Sequence, residues 1–134
     1  MNKKNTAMLL KDFPDLYKQY YLPKNQTCMC WGFDIKDGWL DLIYELSQKV
    51  VLADPQCEVA QVKEKWAGLR FYTNGCNKDA KKLIDAAEEK SFKICEECGK
   101  PGKLRKGGWV RVLCDKHDKE INNPKYLLKK KVKE

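Results

Sequence analysis

Three cysteines and the chain's single histidine fall into two short pairs, Cys95-x2-Cys98 and Cys114-x2-His117, with fifteen residues between them. Thiolate sulfur and imidazole nitrogen are the donors that hold zinc in a tetrahedron. A Cys-x2-Cys turn sets two of them on one side of the ion, and a second pair closes the shell. Four protein ligands leave no open position, so the expected cofactor is one structural Zn²⁺ per chain. Such an ion supplies folding energy to a segment with few apolar residues.

Committing His117 to the metal removes the only histidine from any Ser-His or Cys-His pair. The chain also has no phosphate loop, no Rossmann glycine pattern and no His-Glu-x-x-His. Asp34, Asp37 and Asp41 lie close in sequence, but Asp37 reads as a helix cap and Asp41 as solvent-facing. The residues therefore point away from an enzyme and towards a protein that works by binding.

The ligands need elements to carry them. Cys95 to Gly99 reads as a knuckle in which Gly99 relieves the backbone where it curls round the metal. Lys106-Gly107-Gly108 reads as a turn between two short extended runs, the better being Trp109 to Leu113. Asp115 to Ile121 can start a helix, stopped by Asn122-Asn123-Pro124. Knuckle, hairpin and ligands at the mouth of a helix resemble the treble-clef and zinc-ribbon group.

Upstream, Thr6 to Tyr20 is expected to form a helix interrupted at Pro14. Cys28 to Phe33 is apolar enough for a short strand. The clearest helix runs from about Asp37 to Ala53, with Asp37 capping its first turn. There Leu40, Leu42, Ile43, Leu46 and Val50 share one wide face. Glu58 to Thr73 is rich in strand formers and predicts two strands joined at Ala67-Gly68. Asn77 can cap a further helix over Lys78 to Ser91, with Ala80, Leu83, Ile84 and Ala87 on one face and Asp85, Glu88 and Glu89 in solvent. The fold class is thus α+β: a helix and β-hairpin domain over 1–93, a zinc module over 94–121, and a basic tail over 122–134 expected to be flexible.

Composition narrows the setting. Seven cysteines, three of them in a metal pattern, fit reduced thiols in a reducing cytoplasm better than a disulfide scaffold. Cys57 and Cys76 read as small buried hydrophobes, and Cys28 and Cys30 would need further ligands to make a second site. No apolar run approaches membrane-spanning length. The net charge of +8 is uneven, since residues 94–134 hold twelve basic against six acidic side chains. An anionic partner is one reading of that field, and plain solvation of lysine-rich surface is the other.

Two sets of residues are candidates for such a partner. Lys63, Lys65, Arg70 and Tyr72 lie on the hairpin near Trp39 and Trp66; an arginine can fork onto a phosphate and an aromatic ring can stack on a base. For both tryptophans the core is the competing and favoured place. Arg105, Trp109 and Arg111, with Lys100, Lys103, Lys106 and the run 129–131, form a basic footprint around the metal in which Trp109 could stack on an unpaired base. Its alternative is packing over the metal.

Gly32-Phe33, Asp37 to Ile43, Gln61 to Tyr72, Ala87 to Ser91, Cys95-x2-Cys98-Gly99-x2-Gly102, Trp109 and Leu113-Cys114-Asp115-x-His117 together resemble a family of small uncharacterised proteins from bacteriophages and prophages. The resemblance implies a mobile-element origin and an accessory role, with no activity to transfer. In the cytoplasm of a host cell, the expected function is to antagonise antiviral defence by sequestering a nucleotide signal or blocking a defence protein. The alternative is a nucleic-acid-binding zinc module. No membrane is implied, and an oligomer is compatible with either.

Overall fold

The computed structural model describes residues 1–106 and 109–122. The chain opens with α1 (Lys3–Asp12), capped by Asn2, whose side chain accepts from the Asn5 amide. Pro14 follows at once, so the expected helix to Tyr20 stops at Asp12, and only a 3-10 turn over Lys18–Tyr21 comes after it. Cys28 to Phe33 is likewise not a strand. Met29–Trp31 forms a single 3-10 turn, and only Phe33–Asp34 (β1) is extended.

A 3-10 turn over Asp37–Trp39 leads into α2 (Leu40–Ala53). Asp37 does not cap it. Its carboxylate accepts instead from the Asn2 amide (2.9 Å) and the Asn5 side chain (3.0 Å), which ties α1 to this turn. Those donors pull its pKa down. The apolar face read from the sequence is the buried one: Leu42, Ile43, Leu46 and Val50 all face inward.

Two strands, β2 (Val59–Lys65) and β3 (Gly68–Thr73), pair antiparallel, and β1 joins β2 in parallel, giving the order β1-β2-β3. The turn between β2 and β3 is Trp66-Ala67, one residue earlier than expected, with both residues at left-handed φ (53° and 74°). Trp66 is therefore not core: it is 75% exposed, whereas Trp39 is fully buried.

Helix α3 (Lys78–Lys90) starts at Asn77, whose side chain accepts from the Ala80 amide, and buries Ala80, Ile84 and Ala87. It also closes the open edge of β3. The Leu69 amide donates to Ser91 Oγ (3.0 Å) and the Phe71 amide to Glu88 Oε2 (2.9 Å). Glu88 is thus half-buried and not a solvent residue, and burial raises its pKa. Edge amides satisfied in this way are unavailable for pairing with another chain.

The core lies where α1, α2, α3 and the sheet meet. Tyr17 stands edge-on to Phe33 (4.9 Å) and Phe71 (6.5 Å), and its hydroxyl bonds Ser47 Oγ. Burial pushes the Tyr17 phenol far above its ordinary pKa, so it stays neutral. Cys57 is buried as expected, while Cys76 is half-buried with its sulfur 3.0 Å from Thr73 Oγ1. No helix among the described residues is long and apolar enough to cross a membrane.

The C-terminal part is a hairpin of β4 (Lys103–Arg105) and β5 (Arg111–Leu113), followed by α4 (Asp115–Asn122). The expected strand from Trp109 begins only at Arg111. Gly107, Gly108 and residues 123–134, including the run 129–131, lie outside the described residues.

Candidate metal centre

The knuckle forms because backbone groups fold back on themselves. The Cys95 amide donates to Lys100 O (2.8 Å) and the Gly99 amide to Cys95 O (2.9 Å). Gly99 takes φ +81°, a conformation that side-chain-bearing residues rarely adopt. Cys114 follows β5 directly, and His117 sits one turn into α4, where its own amide faces Cys114 Sγ at 3.5 Å. Strand end, helix start and knuckle thus aim four donors at one point.

The sulfur and imidazole donor atoms of Cys95, Cys98, Cys114 and His117 all lie within 4.8 Å of one another. A tetrahedral ion bonded at about 2.3 Å to sulfur and about 2.0 Å to nitrogen sets sulfurs about 3.8 Å apart and sulfur about 3.5 Å from nitrogen. Cys98 Sγ is 3.7 Å from Cys114 Sγ, and His117 Nδ1 is 3.7 Å from Cys95 Sγ and 3.2 Å from Cys114 Sγ. The donor set and its edges fit a metal ion. Among the described residues no other three or more Cys, His or acidic groups gather in this way, so Cys28 and Cys30 stand apart.

The surroundings favour ligation. With Nδ1 towards the sulfurs, the imidazole proton belongs on Nε2, which faces Glu120 at 4.0 Å; an outer carboxylate of this kind orients a metal-bound ring. The Cys114 thiol is drawn down to about 6, first by the His117 amide and then by its neighbours, so it ionises readily. Cys98 shifts upward through desolvation and the adjacent thiols. Thiols crowded this closely lose their protons together only when a cation is bound among them.

The knuckle is seated on the main body through one short stretch, 36–39. Glu96 has its carboxylate on the Lys36 amide (3.1 Å), its carbonyl on the Gly38 amide (2.8 Å) and its own amide on Val112 O (3.0 Å). Trp39 Nε1 donates to Ile94 O (2.9 Å). Gly38 allows the approach, since a Cβ there would stand 2.4 Å from the Cys95 and Glu96 carbonyl oxygens. Burial raises the Glu96 pKa, opposed by the Lys36 amide and Arg111. Neither Glu96 nor Gly38 stands out in the sequence. A glutamate inside Cys-x2-Cys reads as surface, and the only hint at Gly38 is a glycine at the start of a helical pattern.

The seven candidate ligand residues divide into separate places. Arg105 is spent locally: it donates to Leu113 O (3.2 Å) and pairs with Asp115 (2.8 Å) and Asp118 (3.5 Å), pinning α4 to β4. Arg111 pairs with Glu97 of the knuckle. Trp109 does not pack over the Cys/His cluster; it is 78% exposed. In the ribbon, Lys63 lies opposite Arg70 and Gln61 opposite Tyr72. By strand alternation Lys63, Lys65, Arg70 and Tyr72 share the face opposite the buried Val62, Leu69 and Phe71. Arg70 and Tyr72 line a hollow between β3 and α3, whereas Trp109 and Arg111 line another, at the seam between the ribbon and the metal-bearing hairpin.

Compared with protein-family models, curated proteins and solved structures, the chain matches none.

Proposed function

We propose that this protein is a zinc-stapled binding protein with no catalytic chemistry of its own, and that it takes an anionic ligand on the outer face of the β2–β3 ribbon. Zinc is the ion that favours three thiolates and one imidazole in a closed tetrahedron. With four protein ligands it has no position for an activated water, so it serves the fold.

One observation carries the ligand reading. Lys63 faces Arg70 directly across the ribbon, an arrangement that costs stability, and Lys65 lies two residues along the same face. Asp34 is the register partner of Lys63 on the other side. Even so, none of Lys63, Lys65 and Arg70 is in an ion pair among the described residues. Phosphate oxygens would relieve that repulsion, and Tyr72, 42% exposed beside them, offers a ring to a base. A nucleotide is the ligand this chemistry fits. The setting we propose for it is interference with host defence from the cytoplasm, by holding a nucleotide signal or covering a defence protein.

A second reading, nucleic-acid binding around the metal centre, is favoured by the exposure of Trp109 and of Lys100, Lys103 and Lys106. Calorimetric titration with mononucleotides and with a single-stranded oligonucleotide separates the two. In the first reading Arg70→Ala lowers nucleotide affinity at least about tenfold, the worth of one charge-assisted pair, with the fold kept and the melting temperature not lowered, since the variant also relieves the repulsion from Lys63. An oligonucleotide that binds with a steep salt slope, and is lost in Lys103→Ala but not Arg70→Ala, selects the second. Unchanged affinity in Arg70→Ala removes the ribbon face.

A further inference from the structure

Trp66 breaks a local rule. Two-residue hairpin turns with positive φ favour Asn-Gly, because most side chains are strained there. This chain places tryptophan at φ 53° and alanine at φ 74°. A bulky residue in the left-handed region is uncommon, and such strain persists where the side chain is used. Here the strained turn holds an indole out in solvent, 75% exposed.

A second indole meets it from an independent element. Trp109, 78% exposed at the foot of β5, lines the same cavity of about 140 Å³ as Trp66, together with Glu64 and Val110. Neither indole is paired with another aromatic ring among the described residues. Glu64 is held in place, because its Oε2 accepts from the Ala67 amide of the strained turn (2.8 Å). That leaves the other carboxylate oxygen for a ligand.

The electrostatics select the occupant. Glu64 and Trp109 also line an adjoining hollow of about 340 Å³, where Asp34 and Glu96 supply two more carboxylates and Lys36 and Arg111 two cations. Arg111 is already paired with Glu97. Local carboxylates therefore exceed free cations, in a chain whose net charge is +8. Phosphate is disfavoured there. A cation that can lie flat on an indole and fork onto a carboxylate is favoured, and both properties belong to guanidinium, which also sheds water more easily than ammonium.

We propose that the cleft between Trp66 and Trp109 is a docking site for an arginine side chain of a partner protein, with the guanidinium against the indoles and on the Glu64 carboxylate. The site is distinct from the cationic outer face of the proposed function: by strand alternation Glu64 lies on the other face of β2 from Lys63 and Lys65, and Trp109 comes from the metal-bearing hairpin. Two exposed tryptophans meeting an arginine are the composition of an interface hot spot. The cleft also exists only while the metal-bearing hairpin is seated on the ribbon.

The test is a titration of the full-length, metal-loaded protein, followed through the four indole N–H resonances. The probes are acetyl-Gly-Arg-Gly-amide, the same peptide with neutral citrulline for arginine, and guanosine 5′-monophosphate. Expected is movement of the Trp66 and Trp109 signals with the arginine peptide, little with citrulline, and none at Trp39. Glu64→Gln, which keeps an acceptor for the Ala67 amide, should weaken the arginine peptide about tenfold. Equal response to citrulline, or no response up to tens of millimolar, overturns the proposal. So does movement of both indoles with the nucleotide alone, which would make the cleft a base-stacking site. Movement with protein concentration alone overturns it too, because a second copy would then fill the cleft.

Discussion

Residues 1–93 and 94–122 reach order by opposite means. In the first, Leu9, Tyr17, Met29, Trp39, Ile43, Val50, Val59, Val62 and Leu69 are fully buried in one apolar cluster. In the second, among the described residues only Cys95, Glu96, Val112 and Leu113 are buried, and α4 buries nothing. Burial at about 25 cal/mol per Å² can carry the first region and cannot carry the second. The proposed metal coordination, the Arg105 pairs with Asp115 and Asp118 and the Arg111 pair with Glu97 take its place. A region held by directional bonds is rigid where its ligands are and loosens as a unit when one is lost. The Trp66–Trp109 cleft straddles the seam, so the weaker region governs whether it exists.

The sharpest way to break the comparison is to take the metal away. Cys98→Ser should abolish tight metal binding, as native mass spectrometry reads directly. It should unfold 94–122 while 1–93 stays folded, because structural zinc is worth on the order of 10 kcal/mol. Next comes the seam. Trp39→Ala removes a fully buried ring and the bond to Ile94 O, and should cost about 3–5 kcal/mol in chemical denaturation while loosening both regions together. Gly38→Ala sets a Cβ against the Cys95 and Glu96 carbonyl oxygens and should cost about 1–3 kcal/mol, read first as weaker metal retention.

A smaller effect is the pH response of Glu96. Its folded pKa is raised by burial, so the native state holds that proton more tightly than the unfolded chain. Its contribution therefore falls as pH rises from the ordinary value of 4.5 towards the folded pKa and is constant above it. Glu96→Gln keeps an acceptor for Lys36 and should remove that slope. The difference in melting temperature between parent and variant across this window isolates it from acid release of the metal. The smallest effect lies wholly in the first region: Ala67→Gly relieves φ 74° but removes a fully buried methyl, so the two offset and stability should change by less than about 1 kcal/mol in chemical denaturation.

Local signals in the sequence were reliable where they were strong and where nothing distant competed. The gathering of Cys95, Cys98, Cys114 and His117, the α2 and α3 faces and the Asn77 cap all follow from short-range spacing, and the structure has them. Asp37 looks like a cap because aspartate before a helix usually is one, but Asn2 and Asn5 from α1 claim its carboxylate. Trp66 reads as core because large apolar residues between strand formers usually are. Its position in a two-residue turn reverses that, and tryptophan is not a turn residue by any local rule. Glu96 was illegible for the same reason in mirror image. It looks like surface, and only the distant Lys36 and Gly38 amides make it the residue that seats the metal module.

The central claim is that the second region depends on its metal and the first does not. Hydrogen exchange before and after chelation tests it amide by amide. The account predicts that Cys95, Glu96 and Gly102, bonded to Lys100, Val112 and Lys93, lose protection when the metal is stripped. The paired amides of β2 and β3 should keep theirs. Unchanged protection at Cys95, Glu96 and Gly102, or its loss across both regions together, would contradict the account.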